Sequence, residues 1–120
     1  MEKENIVLEK AYRFALRVIQ LYQYLVKRKE FILSAQILKA GTSIVANLEE
    51  AMGGISRKDF LAKVSIAYKE ARESRLWLRL FKDSGILSVS EANSLLEDCE
   101  ELLKIIGSIQ KTTKSTLRNT

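Results

Sequence analysis

The chain has no proline, no histidine, one cysteine and five glycines among its 120 residues. Average proline usage is about 5%, so the missing proline removes the strongest helix breaker and leaves long stretches free to stay helical. Without histidine, the Glu-x-x-His motifs of di-metal carboxylate bundles cannot be built. The same absence leaves a serine or cysteine nucleophile without an imidazole base to activate it. The lone Cys99 cannot form an intramolecular disulfide, and no charged-then-apolar leader precedes the first amphipathic segment; both suit a reducing cytoplasm. Charges interrupt every hydrophobic stretch before the roughly 18 to 20 residues of a membrane span, so no membrane partner is expected.

What remains is a basic chain patterned for helices. Its length suits one domain with one core, and its net charge of +5 favours an anionic partner in general terms. Residues 5–29 read as a first helix with two adjacent apolar stripes. Leu8, Tyr12, Ala15, Ile19, Tyr22 and Val26 are expected to face the core. Val7, Phe14, Val18, Leu21 and Leu25, with Ala11, widen the apolar arc beyond what one small bundle must cover. That second stripe is the expected contact between subunits, so Val18→Asp or Leu21→Asp would dissociate an oligomer. Lys27-Arg28-Lys29 suits the negative end of the helix dipole.

A second helix is expected from about Leu33 to Met52, crowded at its centre with Ala40, Gly41, Ser43 and Ala46. Glycine inside a helix costs about 1 kcal/mol relative to alanine, and close approach of a neighbouring helix is the simplest compensation at Gly41. Gly53-Gly54 closes this helix. It lacks the Gly-Lys-Ser/Thr of a phosphate loop and reads as a turn. The third helix begins with a capping Ser56 three residues before Asp59 and runs to Ser84, where Gly85 stops it. Ser88 or Ser90 caps a fourth helix, which carries Cys99 on its apolar face and is expected to fray after Ile109. The expected organisation is one bundle domain over residues 1–110 and a solvated basic tail over 111–120. Four helices with short connections predict an all-α, antiparallel up-down-up-down four-helix bundle.

Two sets of side chains are candidates for function. Glu50, Glu70 and Glu73 sit on facing helices, where carboxylates can hold metal ions or exchange protons. With Lys63 close by, they are expected instead to form structural ion pairs, since isolated charges in a core are too costly. No catalytic residue, metal or cofactor is assigned. Lys69, Arg72, Arg75, Arg79 and Lys82, flanked by Lys58, fall near one outward face of the third helix. Such a ridge is either a solvated surface or a non-specific site for the phosphates of RNA or DNA. The fourth helix carries Glu91, Glu97, Asp98, Glu100 and Glu101, so the ridge has an acidic counterpart within the chain or on another copy.

The middle of the chain resembles a known bacterial family, the four-helix bundle proteins related to the protein encoded in 23S ribosomal RNA intervening sequences, also called S23-like. The resemblance rests on Gly41-Thr42-Ser43-Ile44, Ala46-Asn47, Glu49-Glu50-Ala51, Ser56, Lys58-Asp59-Phe60 and Lys63. It continues through Ile66-Ala67, Lys69-Glu70-Ala71, Glu73 and Trp77-Leu78, covering about residues 10–85. Many relatives place a glycine after the acidic residue where this chain has Glu50-Ala51. The resemblance implies a left-handed antiparallel bundle assembled as a ring-shaped homopentamer, without enzymatic activity. It extends to accessory proteins of diversity-generating retroelements, which implies RNA, DNA or a reverse transcriptase-like enzyme as partner.

Overall fold

The computed structural model describes residues 2–119; Met1 and Thr120, the outermost positions of the expected domain and tail, lie outside the described residues. Four helices account for nearly all of it: α1 Glu2–Lys27, α2 Phe31–Met52, α3 Arg57–Asp83 and α4 Val89–Arg118. There is no strand among the described residues. α1 packs on α2 and α4, and α3 packs on the same two helices, so α1 and α3 sit diagonally across one core. The body measures 51 × 21 × 20 Å, and its long dimension is close to the ~45 Å that a 30-residue α4 spans at 1.5 Å per residue.

Local chemistry explains the ends of these helices. The Ser56 hydroxyl accepts from the Asp59 N–H at 3.1 Å, and the Ser88 hydroxyl accepts from the Glu91 N–H at 3.1 Å. Each satisfies an amide that the first helical turn leaves without a partner. Gly85 takes φ +81°, and the chain turns back so that the Leu87 N–H donates to the Phe81 carbonyl. α1 stops with no glycine available: Lys29 adopts φ 63°, and the Glu30 N–H reaches the Leu25 carbonyl at 2.9 Å. A lysine in this left-handed region carries a cost of roughly 1–2 kcal/mol.

The core contains Val7, Phe14, Val18, Leu21 and Leu25 from α1, packed with Ile37, Ile44 and Leu48 of α2 and with Val64, Ala71, Leu78 and Phe81 of α3. This overturns the expected subunit contact, because Val18 is fully buried within one chain. The stripe expected to face inward, Leu8 to Val26, lies half-buried to exposed, apart from Ala15. Equal i, i+3, i+4 spacing gives both stripes the same amphipathic signature, so spacing does not select between them. With the Val7–Leu25 stripe inward, Lys10 and Arg17 bind Glu101 and Asp98 of α4, at 3.2 and 2.5 Å. Exposed pairs of this kind contribute under about 1 kcal/mol each; the larger difference is that the outer stripe carries the hydroxyls of Tyr12 and Tyr22, which burial without partners would penalise.

Gly41 has the close neighbour its sequence context predicts. A Cβ there would lie 2.7 and 2.8 Å from the two methyl groups of Val18, so the missing side chain lets α1 approach α2. α2 is, by length and composition, apolar enough to cross a membrane, contrary to the expectation from its charges. Its Ile37–Ile44–Leu48 face is core, and α1 and α3 flank it. α4 departs most from expectation: it continues beyond Ile109 to Arg118, and Ile109 and Thr113 are buried along the way. Residues 111–118 are therefore helical but mostly exposed, with Thr113 buried and its hydroxyl donating to the Ile109 carbonyl at 2.7 Å and accepting from Arg57 at 3.5 Å.

Candidate nucleic-acid interface

The expected structural ion pairs form at Glu50 and not at Glu70 or Glu73. Glu50 forms the one predicted bridge, with the Lys63 ammonium 2.9 Å from its carboxylate across the α2–α3 seam. Both side chains are substantially exposed, so the pair contributes at most about 1 kcal/mol. Glu73 instead accepts from the Trp77 indole N–H at 3.2 Å, one turn along the same helix. Glu70 has no ion-pair partner among the described residues; its carbonyl accepts from the Ser74 hydroxyl at 2.9 Å. Helical rotation explains the difference, since residues 70 and 73 flank the buried Ala71 and Ser74 without sharing their inward direction. Among the described residues no group of three His, Cys, Asp or Glu side chains is gathered as a metal site would require.

Cys99 lies in the core, where its thiol donates to the Ala71 carbonyl at 3.3 Å. Burial pushes the thiol pKa up to about 12, aided by the nearby Glu100 carboxylate. A thiol held neutral in this way is a packing group and a poor nucleophile.

The basic residues of α3 fall into three groups. Arg75 is half-buried and meets Glu100 of α4 at 3.4 Å. Lys58, Lys69, Arg72 and Arg79 are exposed, and Lys82 is half-exposed. None of these five has a carboxylate partner among the described residues. Ser65, Tyr68, Lys69, Arg72, Arg75 and Arg79, with Glu73 and Leu76, line an open depression of about 440 Å³ along this face. It is a shallow, cationic surface with an aromatic edge, suited to extended anions.

The acidic face of α4 is largely spoken for within the chain. Asp98 and Glu101 bind α1, Glu100 binds α3, and Glu91 accepts from the Ser88 hydroxyl at 3.0 Å. Lys10 and Arg17 are ion-pair partners that sequence reasoning passes over, although their i, i+7 spacing on the polar strip of α1 carries the signal.

A second surface is apolar. Tyr12, Leu16 and Ile19 recur at i, i+4 and i+7 on the outside of α1 and are 59%, 47% and 39% exposed. With half-buried Leu8, Tyr22 and Val26 they form a continuous band along the bundle. On α3, Ile66, Leu76 and Leu80 are also exposed, beside the basic residues.

Comparison with known proteins places this geometry. The family model of the 23S rRNA-intervening sequence protein matches residues 3–108, nearly the whole bundle. The chain belongs to that family. A crystal structure at 1.70 Å of a protein of unknown function from the S23 ribosomal protein family of Bacteroides thetaiotaomicron VPI-5482 is 43% identical to it. The match covers 91% of this chain and 98% of that one, with a TM-score of 0.88. No curated protein matches the chain. The family match ends at residue 108, so the last ten residues of α4 in this member of the 23S rRNA-intervening sequence family lie beyond the matched region.

Proposed function

We propose that the protein is a non-enzymatic, cytoplasmic, self-associating up-down-up-down four-helix bundle that binds the sugar–phosphate backbone of RNA through α3. One observation carries this reading: Lys58, Lys69, Arg72, Arg79 and Lys82 stand without carboxylate partners among the described residues, while Lys10, Arg17 and Arg75 are matched by acids of α4. Cations left unmatched beside matched ones are available to an external anion. The family's name, which links it to ribosomal RNA intervening sequences, is consistent with such a partner. A nucleic-acid enzyme such as a reverse transcriptase that shares the bound strand fits the same surface.

Self-association supports binding by repetition, since several weak basic faces on one assembly gain avidity without a strong single site. The Tyr12–Leu16–Ile19 band is the apolar surface proposed to close a ring-shaped homopentamer, taking the place of the buried Val18 stripe.

Fluorescence anisotropy with a labelled single-stranded RNA tests the binding. Affinity is expected to fall steeply with salt, and Lys69→Glu/Arg72→Glu is expected to weaken it by about 10- to 100-fold, since hydrogen bonds to charged groups contribute ~1.5–3 kcal/mol each before screening. A salt-independent affinity, or one unmoved by the double reversal, refutes phosphate recognition. The Arg75–Glu100 bridge favours a second reading, a protein-interaction module whose basic face meets acidic α4 of another copy. Loss of the assembly on the same double reversal, with no RNA bound at low salt, identifies that case.

A further inference from the structure

Because α4 stays helical to Arg118, its C-terminal cations have a defined direction. Lys104, Lys111, Lys114 and Arg118 follow one another at steps of seven, three and four, in register with Glu100 and Gly107 on the same stripe. Those two residues mark the flank of α4 that meets α3: Glu100 bonds Arg75, and Gly107 lies against the Tyr68 ring, where a Cβ would come within 3.2 Å. The four cations therefore run along the α3 side of α4. All four are exposed, and none has a carboxylate partner among the described residues.

The cross-helix contacts set the register. Arg75 lies opposite Glu100, Tyr68 opposite Gly107, Ser65 opposite Gln110 and Arg57 opposite Thr113. Residue numbers thus fall along α4 as they rise along α3. This places Arg72 level with Lys104, Lys69 near Gly107, and Lys58, next to Arg57, near the level of Thr113, between Lys111 and Arg118. Arg79, by contrast, lies level with the acidic stretch around Glu97. The α3 ridge accordingly divides into one part that faces cations and another that faces acids.

Resting on the RNA-binding reading, we infer that the nucleic-acid site is a groove between α3 and α4, with Lys58, Lys69 and Arg72 on one wall and Lys104, Lys111, Lys114 and Arg118 on the other, and that it takes one single strand lengthwise. The 14 residue steps from Lys104 to Arg118 correspond to about 21 Å of track. Helix axes in contact lie ~8–10 Å apart, a spacing that lets one file of phosphates touch cations on both walls. Gly107 and the Ser65–Gln110 hydrogen bond, 3.0 Å long, form the floor between them. The Tyr68 ring against Gly107 supplies an aromatic surface beside the track for a base to stack on. A duplex, which cannot sink between the walls, would meet their crests alone. At the upper end Lys104 shares a depression with Glu97, Asp98, Glu100 and Glu101, and these carboxylates repel phosphate and end the track before Arg79.

The test measures anisotropy of a fluorescein-labelled single-stranded oligouridylate on the full chain, with unlabelled duplex RNA of equal length as competitor. Lys111→Glu/Lys114→Glu is expected to weaken binding about tenfold and to reduce the slope of log affinity against log salt by about 1.4, at ~0.7 for each phosphate of a single strand that is no longer neutralised. Arg79→Glu/Lys82→Glu is expected to have the smaller effect. Lys111→Gln/Lys114→Gln, milder on a helix end, should show the same order, and circular dichroism checks that each variant folds. If Lys69→Glu/Arg72→Glu abolishes binding while neither Lys111/Lys114 variant changes it, the groove is refuted and the α3 reading stands. A wild-type chain that binds no oligouridylate at low salt refutes both. A duplex that competes as well as the single strand overturns the single-strand assignment.

Discussion

The two flanks of α4 are built from the same residue types and end in opposite electrostatic states. Toward α1, Asp98 and Glu101 each receive a cation, and the pairs bracket a buried apolar stripe. Toward α3, one bridge forms at Arg75–Glu100, and below it both helices present cations with no carboxylate between them. Like charges facing each other across a seam oppose folding by their repulsion. The first flank is thus electrostatically closed, and the second is a surface held together by packing in spite of its charge. A charged residue says little about function until its partner, or the lack of one, is known.

The largest effect should come from attacking the closed flank at its floor. Val18→Asp places a carboxylate in a fully buried site against Gly41. An unpaired buried charge removes several kcal/mol, enough to unfold a small domain. Circular dichroism should show loss of helix, while Leu16→Asp on the exposed band keeps the fold and lowers the mass seen by light scattering. A folded but dissociated Val18→Asp protein would return the subunit contact to the inner stripe.

A smaller effect tests the bridges themselves. Asp98→Asn removes the carboxylate from Arg17, whose side chain is 38% exposed. The loss should be under about 1 kcal/mol in urea unfolding and should shrink further in high salt. RNA affinity should stay unchanged or rise slightly, because the substitution also lowers the negative charge of α4. A clear loss of RNA binding would mean that the closed flank takes part in recognition, and the contrast between flanks would fail.

At neutral pH the smallest effect belongs to the ionisation of Cys99, between the flanks. Its folded pKa, raised by burial from 9.0 to about 12, means that folding favours the neutral thiol. This contribution is fully present below about pH 9 and is lost as pH rises toward 12. The stability of the natural chain relative to Cys99→Ala should therefore decline over that interval. Alkylation by iodoacetamide below pH 9 should follow unfolding alone; rapid labelling of the native protein would show that the α3–α4 seam opens.

Much of the fold is legible in the sequence because its signals are local. Ser56 and Ser88 cap the helices whose starts they mark, Gly85 adopts the left-handed turn, and Gly41 meets a neighbouring helix at close range. The site is harder to read. The basic residues of α3 can be grouped by spacing, yet Arg75 is engaged with Glu100 while Arg72 is not, a difference of one turn that depends on what lies opposite. Glu73, expected to pair with a cation, holds Trp77 instead, because a partner four residues along the same helix needs no tertiary contact to form. The reach of α4 escapes a sequence reading, since Lys111, Lys114 and Arg118 are solvated as a tail would be, and only the burial of Thr113 against α3 shows that they stand on a docked helix.

By itself, the sequence determined four helices, their turns and caps, and a positive charge concentrated on α3. These follow from interactions within a few residues, where spacing is enough. Tertiary structure decided which of two equal stripes of α1 became core, which cations kept their charge free, and that the C-terminal basic residues line the α3 side of α4. Each of those outcomes depends on a partner distant in sequence, and periodicity within one helix carries no information about what stands across from it.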